Sequence, residues 1–241
     1  MELILGPSRA LGVALSAAQQ ETLCRLGQQI REWNQRHNLT SVQDWRGLQV
    51  NHFLDSLTVV PHLLPFVPDG RGSLVDVGSG AGLPGLPLAI ALPNLEVTLV
   101  ESMAKKVAFQ RHAVRALGIS NARSLHGRAE EVSRTTEHRE RYDAAVARAV
   151  ASAASLCELL LPLVRVGGVA LLMKTRPKLD AELGAAEAAL RLLGGRLVKV
   201  REVLLPDLLP NRAVAIIEKT SPTPEAYPRR TGRAQKRPLG S

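Results

Sequence analysis

The chain reads as an α/β protein: a mostly parallel, seven-stranded sheet with helices on both faces, preceded by an N-terminal helical extension. Three features of the sequence predict this. Apolar, strand-like runs alternate with helix-like segments from residue 74 onward, the first run ends in a glycine-rich turn, and the last two runs follow one another with no helix between them. Alternating strands and helices build a parallel sheet, whereas two closing strands in succession form a hairpin that leaves one strand antiparallel.

Taken in order, residues 1–70 form a helical cap. Ser16 is placed to start a helix as its N-cap, and Leu23, Leu26, Ile30 and Trp33 make one apolar stripe along it. A second helix is expected over residues 45–64. Residues 71–219 form the sheet domain, beginning with Leu74, Val75 and Val77 in a buried strand. Helix is expected at 84–92, strand at 95–101, helix at 103–117, strand at 122–126 and strand at 142–148. Helix at 152–164 and strand at 168–174 follow. The helix at 177–193 is marked by Leu179, Leu183, Ala186, Leu190 and Leu193. Strands at 195–205 and 212–219 close the domain. From residue 220 apolar periodicity stops, and residues 220–241 read as a flexible basic tail carrying Arg229, Arg230, Arg233, Lys236 and Arg237. The cap should roof the sheet's ligand edge, because ligands in open α/β sheets bind outside the carboxyl ends of the strands.

The turn after the first strand is the richest local signal. Asp76 is followed by Gly78, Ser79, Gly80, Gly82 and Leu83, and glycine at alternate positions lets a ligand approach the backbone. The next strand ends on Glu101, about 20 residues on, where a carboxylate can accept bonds from both hydroxyls of a ribose. Two cofactor classes suit such a site. Residues 80–85 satisfy G-x-G-x-x-G, so a nicotinamide or flavin dinucleotide is one. Asp76 favours the other, since its charge repels a pyrophosphate but not S-adenosylmethionine, which has an ammonium and a sulfonium and no phosphate. A hairpin-closed seven-stranded sheet is also the architecture of class I methyltransferases, whereas a dinucleotide fold keeps six parallel strands.

Composition supports an intracellular enzyme. The 45% apolar content is ample for a core, and the two cysteines, Cys24 and Cys157, have neither metal-ligand nor disulfide-framework spacing, so no metal is expected. No leader or membrane span is expected, because the longest apolar stretch, 149–164, is interrupted by Glu158. The net charge of +9 points to a polyanionic partner. Aromatic content of 3% argues against extensive base stacking, leaving phosphate contacts and RNA shape as the means of recognition. Lys105, Lys106, Arg123, Arg128, Arg134, Arg139 and Arg141 are available for phosphates or for a solvated face.

The segments NLTSVQDWRGLQVNHFLDSL (38–57), DVGSGAGLPGLPLAI (76–90), ESMAKKVAFQ (101–110), GRAEEV (127–132), YDAAVARAVA (142–151) and GGVALLMK (167–174) occur in one order. In this combination the chain resembles the small-subunit ribosomal RNA methyltransferase G family, also called glucose-inhibited division protein B, from about residue 20 to 219. The resemblance implies transfer of a methyl group from S-adenosylmethionine to N7 of a guanine in 16S rRNA, position 527 in customary numbering, in the 530 loop. It implies cofactor contacts at Gly78 and Leu83, at Glu101 with Ser102, at Ala129 with Glu130, and at Arg148. A cytoplasmic monomer acting on 16S rRNA or the small ribosomal subunit is the expectation.

The chemistry can be approached from the residues as well. Guanine N7 has an in-plane lone pair, so no base is needed to free it, and alignment carries most of the catalysis. Arg148 stands where exocyclic-amine methyltransferases often place an Asn/Asp-Pro-Pro-aromatic motif. An arginine there can hold a base edge, a phosphate or a cofactor carboxylate. Its replacement by alanine is expected to cost activity far more than fold. The second reading is a methyltransferase of the same class with another target, a ribose 2′-hydroxyl or a small molecule, and Lys174, which ends the following strand, is the one obvious base for the ribose hydroxyl; a non-catalytic RNA- or nicotinamide-binding protein is the third. Asn38, His52 and Asp55 come from the cap, with His52 and Asp55 three apart on one helical face, able to bond each other or to face RNA.

Overall fold

A computed structural model of the chain describes residues 2–42, 44–148, 151–205 and 211–240. Helices α1 (Glu2–Ala10) and α2 (Ala17–His37) open it. The Ser16 hydroxyl accepts from the Gln19 N–H while the Gln19 side chain accepts from the Ser16 N–H, a reciprocal box that satisfies two otherwise orphan donors. Leu23, Leu26 and Ile30 are buried, and Trp33 meets Phe109 edge-on at 5.5 Å between ring centroids. The continuous helix expected over 45–64 is instead four pieces: α3 (Trp45–Gly47), a π-helical run (Leu48–Leu54), α4 (Asp55–Leu57) and α5 (Val60–Leu63). Pro61 explains the last break, since it cannot donate to a preceding turn and sits in the first turn of α5.

The sheet domain follows as β1 (Gly72–Val77), α6 (Gly85–Ala91), β2 (Leu95–Glu101), α7 (Ala104–Leu117), β3 (Ala122–His126), α8 (Ala129–Val132), β4 (Tyr142–Arg148), α9 (Ala153–Leu160), β5 (Val164–Thr175), α10 (Arg176–Leu193), β6 (Gly195–Glu202) and β7 (Arg212–Lys219). Helix α9 stops earlier than expected because Pro162 lacks the N–H to extend it, and β5 begins correspondingly early. Ala149 and Val150, which continue the sequence motif after Arg148, lie outside the described residues. The seven strands run in the order β3-β2-β1-β4-β5-β7-β6, with β7 antiparallel to both β5 and β6. Strand order therefore reverses between β1 and β4, which sets a ligand crevice at their carboxyl ends.

Alternate residues on each strand feed two cores, as the period of a strand demands. Leu74, Leu99, Val146, Leu171 and Val214 join Leu23, Leu26, Ile30 and Phe53 of the cap in one cluster. Val75, Val100, Ala145, Leu172 and Ala215 join residues of α9 and α10 in the other. The cap is thus seated on one sheet face and shares its core.

The C-terminal segment does not extend freely as expected. It packs on the opposite face and carries a short helix, α11 (Arg233–Lys236), whose Ala234 is fully buried. The cause is Glu158, a fully buried carboxylate on α9 that needs a cation and hydrogen-bond donors. Arg229 supplies both, donating from its N–H at 2.7 Å and from its guanidinium at 2.6 to 3.1 Å. Arg139 donates to the carbonyls of Thr223 (2.8 Å) and Tyr227 (2.9 Å), and Arg134 to that of Pro228. These arginines, considered for phosphates on sequence grounds, hold the tail.

Candidate active site

The glycine turn leaves β1 with Gly78, Gly80 and Gly82 all at positive φ. Most of its N–H groups are committed within the chain. Those of Gly78 and Ser79 donate to the Val100 carbonyl, Gly80 to Glu101 Oε2 at 2.9 Å, Gly82 and Leu83 to the Ser79 carbonyl, and Gly85 to Asp76 Oδ2 at 2.8 Å. Gln110, fully buried on α7, locks the turn by donating to Ser79 Oγ and the Gly80 carbonyl, both at 2.8 Å. Sequence reasoning missed Gln110. A glutamine on the buried stripe of an amphipathic helix was the available signal.

Asp76 lies behind this turn, wholly buried, and holds Gly85 in place instead of lining the crevice. Burial pushes its carboxyl up to about 7, against the opposing pull of the Gly85 N–H and of Arg148.

Two hollows meet at Gly78. One, about 70 Å³, is bordered by Val77, Val100, Ser102, Arg128, Ala129 and Glu130.

 Leu159 of α9 and Gln235 close this hollow from the side away from the sheet. The other, about 140 Å³, lies under the cap and is bordered by Leu39, Thr40, His52, Ser79, Gly80, Ala81, Leu83 and Arg148. A larger hollow of about 340 Å³ opens at the amino ends of β1, β2 and β3, around Ser73, Glu96 and Arg123, at the edge opposite the glycine turn. The reversal of strand order selects the smaller pair as the ligand crevice.

On the first side, Glu101 is nearly buried, with Oε1 accepting from the Met103 N–H at 2.8 Å. Ser102 follows it, and its hydroxyl points back to Glu101 at 3.5 Å. Ala129 and Glu130 begin α8, and Glu130 Oε1 accepts from the Gly232 N–H of the tail at 2.7 Å.

On the second side, Arg148 ends β4 and donates to Asp55 Oδ2 at 3.0 Å and to the Asn51 carbonyl at 3.3 Å. Arg212 Nε stands 3.5 Å from the other oxygen of Asp55. Arg212 was also missed. Because β7 is the reversed strand, its first residue falls at the same edge where the parallel strands end, and that direction was the signal. His52 and Asp55 do not bond each other: the π-helical run between Leu48 and Leu54 alters the spacing that an α-helix would give. His52 Nδ1–H donates to the Asn51 carbonyl at 3.0 Å, which leaves Nε2 to accept from Thr40 Oγ1 at 2.7 Å. Burial, then the charge of Arg148, holds its pKa down at about 4, so the ring is neutral at physiological pH.

Asn38 caps α2 in the left-handed conformation and is exposed; the adjacent Leu39 and Thr40, not Asn38, line the hollow. Asn34 fixes that loop, donating to the Thr40 carbonyl at 2.9 Å and accepting from the Thr40 N–H at 3.0 Å. Lys174 is buried at the end of β5 and bonded to Glu182 and to the Ala151 carbonyl, away from both hollows. It ties α10 to the segment after β4 and is engaged as a structural cation. Burial pushes the Cys157 thiol up to about 12, which removes it as a nucleophile. Among the described residues no group of three His, Cys, Asp or Glu side chains converges as a metal site, and no helix is long and apolar enough to cross a membrane.

A reversed seventh strand, a glycine turn at the switch point and an acidic residue closing β2 define a class I methyltransferase. The chain belongs to the rRNA small subunit methyltransferase G family, whose model matches residues 19–209. It is 44% identical to the ribosomal RNA small subunit methyltransferase G of Roseiflexus sp. (strain RS-1), over 99% of this chain and 100% of that protein. Among solved structures it is similar in fold to a putative sarcosine dimethylglycine methyltransferase from Galdieria sulphuraria (TM-score 0.54, 10% identity, 68% of this chain and 85% of that one). It is also similar to TrmN from Thermus thermophilus (TM-score 0.50, 24% identity, 68% and 48%).

Proposed function

We propose that this chain transfers the methyl group of S-adenosylmethionine to N7 of a guanine in 16S rRNA, position 527 in customary numbering, acting as a cytoplasmic monomer on the RNA or the small ribosomal subunit. The observation that carries the cofactor assignment is the glycine turn: most of the N–H groups that would cradle a pyrophosphate are spent inside the chain, and the Glu130 carboxylate borders the nucleoside-side hollow. Such a site disfavours a dinucleotide and suits a phosphate-free, cationic nucleoside. A Cβ added at Gly80 would meet no heavy atom closer than 4.0 Å, so the turn leaves open space for a ligand against its backbone.

In this reading Glu101 and Ser102 receive the ribose, Ala129 and Glu130 border the base, Gly78, Ser79, Gly80 and Leu83 form the floor between the hollows, and Gly82 shapes the turn from behind, against Leu86. The bound cofactor supplies a methyl group activated on a sulfonium. The chain's own residues place the guanine and manage charge. Arg148 beside the second hollow is paired with Asp55, which it shares with Arg212, and His52 is neutral, so the positive charge of the wall next to the target base is partly offset where a cation develops. Remaining donor capacity of Arg148 can hold a phosphate or the base edge. The bond of Lys174 to Glu182 favours this reading over a ribose-hydroxyl transfer, which would need a free base.

Calorimetric titration with S-adenosylmethionine and, separately, with a nicotinamide dinucleotide tests the cofactor assignment. Binding of the first and not the second is expected; the reverse would overturn it.

A further inference from the structure

The tail does more than cover a sheet face. Gln235 borders the nucleoside-side hollow together with Val77, Val100, Ala129 and Leu159, and among the described residues is its one wall residue from beyond the sheet domain. Its position is fixed from three directions. Gly232 donates to Glu130 Oε1 at 2.7 Å, Thr231 Oγ1 donates to Glu131 Oε1 at 3.1 Å, and Ser155 Oγ donates to the Ala234 carbonyl at 2.7 Å. Ala234, next to Gln235, is fully buried, while Gln235 itself is exposed at the rim. Val77, Val100, Ala129 and Leu159 give that hollow apolar surfaces suited to the faces of a flat base, while Ser102, Arg128, Glu130 and Gln235 supply its polar groups.

We propose that Gln235 reads the edge of the adenine ring of the cofactor, so that the C-terminal segment is part of the cofactor site. A glutamine amide presents one donor and one acceptor side by side, the complement of adenine's N6 amine and its neighbouring ring nitrogen. The edge read is that of N6 and N7, where hypoxanthine has O6 and N7, two acceptors that one amide cannot both satisfy. The inference rests on the assignment of S-adenosylmethionine to the crevice. It adds that the tail, and not the sheet domain alone, discriminates the base.

The test compares the full-length protein with Gln235→Ala and Gln235→Leu, measuring the affinity for S-adenosylhomocysteine and for its 6-oxo analogue, S-inosylhomocysteine, and the melting temperature. Because Gln235 is exposed, both variants should melt with the wild type. Loss of the amide should weaken S-adenosylhomocysteine binding about fivefold and shrink the preference for it over the 6-oxo analogue. Affinities and preference within twofold of wild type in both variants would overturn the role of Gln235 while leaving the cofactor assignment intact. Failure of the wild type to bind S-adenosylhomocysteine at all would overturn both. Amide exchange gives an independent check on the unmodified protein: exchange across residues 231–236 should slow on adding S-adenosylhomocysteine, and unchanged exchange counts against the proposal.

Discussion

Arg148 Nη1 stands 3.0 Å from Asp55 Oδ2 and thereby joins the end of β4 to the cap. Both side chains are largely buried, so removing Arg148 leaves Asp55 with only the more distant Arg212, at 3.5 Å, and removing Asp55 leaves two arginines without their shared counter-charge. Arg148→Ala should therefore cost about 3 kcal/mol in chemical denaturation, contrary to the sequence-based expectation that this arginine matters little to the fold. Asp55→Ala should cost a similar amount, and the double variant clearly less than the sum of the two. Additive losses would show that the pair is not coupled.

His52 provides a pH signature. Its pKa is about 4 when folded and 6.5 as a free side chain, so protonation favours the unfolded chain. The stability it contributes is complete above pH 6.5 and is lost as pH falls toward 4, about 3 kcal/mol over that window. Asp76 works in the opposite sense, because its raised pKa of about 7 gives stability at low pH that disappears as pH rises. Comparing wild type with His52→Gln isolates the histidine: the difference between their stability curves should slope between pH 4 and 6.5 and be flat above. A difference that does not change with pH would contradict the buried, neutral ring.

Two glycines of the turn should respond differently to alanine. At Gly85 a Cβ would lie 2.2 Å from Leu99 Cδ2 and 2.9 Å from Asp76 Oδ2, so Gly85→Ala should destabilise by about 2 kcal/mol. At Gly80 there is room, and Gly80→Ala should cost about 1 kcal/mol for its positive φ yet weaken cofactor binding more than Gly85→Ala does per unit of stability lost. Denaturation and calorimetry on both variants would check this, and equal ratios would argue against Gly80 facing the ligand.

The docked tail leaves Arg230, Arg233, Lys236 and Arg237 exposed. Replacing all four by glutamine should weaken binding to 16S rRNA and flatten its dependence on the logarithm of salt concentration by roughly 3, with little change in melting temperature. An unchanged slope would remove these side chains from RNA recognition. Arg229→Ala should act on stability instead, because it leaves Glu158 buried without its cation.

The strand pattern was legible because each strand is an apolar run bounded by a turn, and the sheet's reversed last strand followed from two runs with no helix between them. The limits of β3, β4 and β7 agree with the sequence reading, and Ser16 caps α2 as its position suggested. What escaped the sequence depends on partners far apart in the chain. Glu158 looked like an interruption in an apolar run and Arg229 like a free tail charge, although 71 positions apart they form one ion pair. Likewise His52 and Asp55 were read on an α-helix, and the π-helical run turned one toward Thr40 and the other toward Arg148. Lys174 looked available at a strand end until Glu182 was found beside it.

The most direct test is to incubate the protein with S-adenosylmethionine carrying a radiolabelled methyl group and with small-subunit RNA or particles lacking the modification, then digest the RNA and identify the labelled nucleoside. Label in 7-methylguanosine, mapped to the single guanine at position 527, is the expected result. Label in a ribose 2′-O-methyl nucleoside, or none in RNA from a protein that binds the cofactor, would contradict guanine-N7 transfer.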